Sequence, residues 1–164
     1  MIEAEQTCVM TKTEGRKMTA IEFFSRLEAS ERSISTATRK VEVLKSMAEK
    51  ITSTLEGEVV SHTRNVHSFE DSILRLAEAK EELELASKKY SLLVDFIMAK
   101  MSLLENPDEE LLLSYHHLSH IPLSVAAEKL HHSRSWGFSQ HDIALRNLDI
   151  ILAELREEDI PLGA

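Results

Sequence analysis

A chain of 164 residues that is 43% apolar and 29% charged can build one core, and only 4 glycines and 3 prolines amid abundant Leu, Ala, Glu, Lys and Ser point to an all-helical chain. Its formal net charge of −9 excludes a general electrostatic grip on nucleic acid unless the cations are gathered on one face. A single cysteine, Cys8, excludes an internal disulfide and suits a reducing compartment. No apolar run approaches the ~20 residues of a bilayer span, and the N-terminus lacks a basic-then-apolar secretion pattern. The expectation is a soluble intracellular protein with no membrane contact.

Residues 1 to 17 show no helical periodicity and read as a flexible tail. From Ala20 the chain repeats every seven residues. One set is Ala20, Leu27, Ile34, Val41, Ala48 and Leu55; the other is Phe23, Ser30, Ala37, Leu44 and Ile51. An under-wound helix repeats every 3.5 residues, so both sets fall on one seam. Gly57 breaks the pattern, and Ser68 is the expected cap of a second helix. That helix carries Phe69, Leu76, Leu83, Tyr90, Ile97 and Leu104 at the same spacing, with Ala79, Ala86 and Leu93 completing the stripe. Two helices joined by a short loop should close as an antiparallel hairpin over residues 18–104. The two stripes can serve only to hold the hairpin shut; Phe24, Met47, Val94 and Met101 beside the seam are an apolar surplus that leaves a homodimer as the other reading.

"ENPDEE" opens the next helix: Asn106 caps, Pro107 suits the first position, and the carboxylates favour the helix N-terminus. Leu111, Leu112, Tyr115 and Leu118 are expected to face inward. A short helix over 123–130 follows, with Val125, Ala126 and Leu130 inward. Ser133 caps a last helix to about Arg156, with Trp136, Ile143, Ala144, Leu148, Ile151 and Leu155 buried. The fold class is therefore all-α: a long coiled-coil-like antiparallel hairpin, then a three-helix helix-turn-helix unit over residues 105–164.

Residues 105–164 hold 11 acidic and 4 basic side chains, a net of −7. On the last helix only Arg134, Gln140, Arg146 and Asn147 are of the types that read bases or phosphates. Six histidines fall between His116 and His141. His116 and His120 stand four apart on one helical face, and His131 and His132 sit in the turn, so these four are the candidate zinc ligands. The competing reading is a set of surface and half-buried histidines with no cofactor. "HHLSH" lacks the glutamate of a zinc protease. No Gly-rich phosphate loop, nucleophile elbow or paired-Asp motif is present, so no enzyme is expected.

Several stretches resemble a family of small proteins of Gram-positive phages and prophages. They are "MTAIEFFSRL", "ITSTLEG", "ENPDEELLLSYHHL", "SVAAEKLHHS" and "SRSWGFSQHDIAL", spread over residues 18–152. In that family a long helical hairpin precedes a helix-turn-helix similar to sigma-factor region four and to ArpU-type late-gene regulators. The last stretch follows its order of Ser, Trp, aromatic, His, Ala-Leu through Ser133, Trp136, Phe138, His141, Ala144 and Leu145. The resemblance implies a DNA-facing last helix, but Ser139 and Ile143 stand where the family has Arg, and Ser114 replaces the Arg before Tyr115. The expected face is thus Arg134, Ser139, Gln140, Ile143, Arg146 and Asn147, turned from DNA to a protein. The expected partner is a basic groove of a host nucleic-acid machine, a Cas nuclease or RNA polymerase. The alternative is a phage late-gene regulator that still binds promoter DNA.

Overall fold

A computed structural model describes residues 18–55, 62–154, 159 and 161, without the side chains of 54–68. Helix α1 spans Ala20–Leu55 and α2 spans His62–Met101. Helix α3 covers Pro107–Leu113 and runs straight into a π-helical turn, Ser114–Leu118. Helices α4, Leu123–Lys129, and α5, Arg134–Leu152, follow. No strand occurs among the described residues.

Helices α1 and α2 pack along each other as the heptad spacing requires. Ile34, Val41, Leu44 and Ile51 of α1, and Leu76, Leu83 and Ala86 of α2, are half-buried on the seam, while the positions between are mostly exposed. Ala37 and Ala79 are fully buried, which fits the close approach that small residues permit. An exposed ion pair joins Lys40 to Glu82 across the hairpin and is worth little by itself.

The fully buried core lies at the base of the hairpin. Phe23, Phe24 and Leu27 from α1 meet Leu93, Ile97 and Met101 from α2, and Leu113, Ala144, Leu148 and Leu152 from the C-terminal helices complete the same cluster. Each of the Phe, Leu, Ile and Met side chains among them contributes about 1.5–3 kcal/mol by leaving water. One core therefore runs across the position near residue 104 where hairpin and helix-turn-helix were divided. The N-terminus of α1 is built into this junction. Thr19 and Glu22 form a reciprocal capping box at 3.1 and 3.2 Å, and Asp149 of α5 accepts the Ala20 backbone N–H at 2.6 Å.

Several expectations are corrected. Helix α2 starts at His62, so Ser68 lies inside it and does not cap it. Phe24 and Met101 are buried in the chain's own core and Val94 packs against it. The C-terminal helices thus cover most of the surplus assigned to a second copy, and of the four only Met47 is exposed. Leu111 and Val125 face solvent, and Leu113 and Ala127 take their places. The reason is that Glu109, Leu112 and Leu113, spaced three and four apart, make the inward face of α3 and turn Leu111 outward, while α4 buries Ala126 and Ala127. Ile143 is 42% exposed, while Ala144 and Leu145 on the next positions are buried. Trp136 is only half-buried and stacks on His132, ring centroids 3.8 Å apart. The proposed tail, Cys8, Gly57 and Leu155 lie outside the described residues.

Candidate functional site

Helix α5 begins with the expected cap, Ser133 Oγ accepting the Trp136 N–H at 3.2 Å. Its outer face carries Ser139, Asp142, Ile143 and Arg146, spaced three and four apart, and all four are exposed. Arg134 is exposed at the first turn, its guanidinium 5.7 Å from the centre of the Phe138 ring. Ser139 and Ile143 therefore stand on the surface where the resemblance puts cations. Asp142 and Arg146 balance each other, so that face carries no net positive charge.

Gln140 and Asn147 are turned the other way. Gln140 Nε2 donates to Glu109 Oε1 at 2.7 Å, and Asn147 Nδ2 donates to Glu109 Oε2 at 2.8 Å. Glu109 is only 5% exposed. A carboxylate taken out of water must have its lone pairs met, and both amides do that, tying α3 to α5. Two of the four residues assigned to base reading are thus structural. No sequence pattern announces this, because Glu109 and its amides stand 31 and 38 positions apart.

The histidines gather differently from the set expected. His120 Nε2 pairs with Glu31 Oε2 at 2.8 Å, on the α1 side. His132 Nε2 lies 3.2 Å from Asp108 Oδ2. His131 is exposed and occupies the left-handed position, φ 63°, that ends α4. Only His116 of the four candidates joins a cluster, and its companions are His117 and His141. The π turn explains it. Ser119 N–H donates to Ser114 O, an i→i+5 bond, and the widened turn lets adjacent histidines both reach α5.

The three rings are fixed from several sides. His116 Nδ1 is 2.9 Å from Ile121 O and must donate to it, since a carbonyl only accepts. His117 lies flat on Phe24, centroids 3.9 Å apart and planes within 6°. His117 Nε2 and His141 Nε2 are 3.0 Å apart, so one donates and the other accepts. Asp142 Oδ1 stands 3.8 Å from His141 Nδ1. Burial above all, with His116, His141 and His120 nearby, lowers the His117 pKa to about 3. Burial and His116 lower that of His141, opposed by Asp142. One ring nitrogen from each of the three falls within 4.8 Å of the others, a donor set able to hold a metal ion.

A separate cleft of about 380 Å³ opens where the end of α2 meets α5, lined by Leu103, Glu105, Asn106, Asn147 and Ile150 among others. No helix among the described residues is long and apolar enough to cross a membrane. Compared with known protein families, characterised proteins and solved structures, the chain matches none.

Proposed function

We propose that this chain is a phage-type interaction protein that acts by binding another protein, without catalysis, through a helix-turn-helix whose DNA-reading face has been replaced. The observation that carries this reading is the Glu109 clasp. It engages Gln140 and Asn147, leaving α5 with two exposed arginines and an outward Ser139, Asp142 and Ile143. Phosphate affinity comes from several cations acting together, and two, one of them beside an aspartate, are too few for a strong grip. An exposed Ile143 and Phe138 on an acidic unit suit a protein surface with basic and apolar character. A groove that normally holds nucleic acid, as in a Cas nuclease or RNA polymerase, offers the basic part of such a surface.

The test is direct binding of the purified chain to guide-loaded Cas nuclease and to RNA polymerase core, each with and without competing nucleic acid. The expected result is a salt-weakened complex with one of them that nucleic acid displaces and that Asp142→Arg weakens. Tight binding to duplex promoter DNA, with none to either protein, would establish the late-gene regulator instead.

A further inference from the structure

We propose that His116, His117 and His141 form a binding site for one divalent transition-metal ion of the zinc class, with a fourth coordination position left open. The inference does not depend on what α5 binds. It starts from convergence: three imidazoles from two separate elements bring ring nitrogens within 4.8 Å of one another. Two neighbouring ligands of a tetrahedral ion with metal–nitrogen bonds of 2.0–2.1 Å stand about 3.3 Å apart. His117 Nε2 and His141 Nε2 are already 3.0 Å apart, facing each other. In the metal-free protein one proton must lie between them. An ion with bonds of 2.0–2.1 Å would reach both nitrogens from beside that line, once the proton held on Nε2 of His117 or His141 has moved to the Nδ1 of the same ring.

The surroundings set the tautomer of His116, favour one for His141, and hold the plane of His117. His116 donates through Nδ1 to the Ile121 carbonyl, which leaves Nε2 with its lone pair. Asp142 stands beside Nδ1 of His141, favouring the proton there and the lone pair on Nε2. Such carbonyl and carboxylate partners are the usual outer support of a histidine ligand. Phe24 fixes the plane of His117 by stacking. The donors are all imidazole nitrogen, which selects zinc, cobalt, nickel or copper over magnesium or calcium. Three protein ligands leave one position for water or an incoming group. When bound, the ion would fasten the π turn to α5, adding a cross-link at the junction of α3 and the last helix.

The experiment is a Co2+ titration of the full chain, stripped of metal with a chelator, followed by visible absorption and by competition with Zn2+. The expected result is one Co2+ per chain with tetrahedral d–d bands, displaced by Zn2+, and a thermal midpoint that rises with added Zn2+. His116→Gln, His117→Gln and His141→Gln should each weaken binding by ~10–100-fold or more, while His120→Gln and His132→Gln leave it unchanged. Absence of stoichiometric binding to the wild-type chain overturns the proposal and needs no variant. So does binding that survives all three glutamine substitutions, or that is lost with His120→Gln or His132→Gln. Circular dichroism of each variant separates a lost ligand from a lost fold.

Discussion

Gly137 and Ala127 bring α5 and α4 so close that a Cβ on Gly137 would stand 2.8 Å from the Ala127 Cβ and 3.1 Å from the Leu123 carbonyl oxygen. The glycine is there for space. Its place is on the buried side of α5, where that helix faces α4.

Gly137→Ala should therefore destabilise the chain by about 1–3 kcal/mol, as overpacking does, despite the better helix propensity of alanine. Urea unfolding measures it. Adding Ala127→Gly removes the opposing methyl and should recover part of the loss. Equal stability of Gly137→Ala and the parent would mean that the two helices are not in this contact.

His131 ends α4 in a Schellman arrangement: its own N–H donates to Glu128 O at 3.0 Å, and the His132 N–H to Ala127 O at 2.9 Å. The position demands positive φ, which a side chain disfavours. His131→Gly should stabilise the protein by about 1 kcal/mol in thermal or urea unfolding, since the exposed imidazole contributes little there. A loss of stability would show that the His131 side chain holds a contact of its own.

The histidine cluster sets a pH dependence. In the folded chain His117 titrates at about 3, against 6.5 for an ordinary histidine, because the ring is desolvated. Between those values the unfolded chain takes up a proton that the folded chain refuses, so stability falls as pH drops from 6.5 toward 3 and is flat above. His141 adds in the same direction. One such group contributes at most about 1.4 kcal/mol per pH unit, and less here because the ring keeps some solvent. Urea midpoints measured with chelator from pH 7 to 5, above most carboxylate titration, should fall for the parent and fall less for His117→Gln. Identical slopes would contradict the buried, neutral ring.

The hairpin was legible because its information is local and periodic. Ile34, Val41 and Leu83 sit on the seam that seven-residue spacing assigns them, and Asn106 and Ser133 cap where their side chains can reach the first free N–H groups. The candidate site was legible only in part. Glu109 reads as an ordinary helix-start carboxylate, and its burial depends on amides far along the chain. Helical arithmetic pairs His116 with His120, whereas an i→i+5 turn selects His117 instead. Ser139 and Ile143 were expected on the outer face from the resemblance alone, and both are exposed. The apolar periodicity that placed Ile143 in the core was misleading, since Ala144 and Leu145 already fill that side of α5.

Under the proposed function, α5 is a helix of DNA-reading type that lacks the cations to hold DNA. Fluorescence anisotropy with labelled duplex DNA, comparing the parent with Ser139→Arg/Ile143→Arg across a salt series, tests it most directly. Two arginines on exposed positions should raise affinity and steepen the log–log salt slope by about 2, one for each phosphate neutralised. Unfolding stability should stay within about 0.5 kcal/mol of the parent. The parent itself should show no sequence-dependent complex at physiological salt. A tight, sequence-dependent complex of the parent chain with duplex DNA would contradict the account.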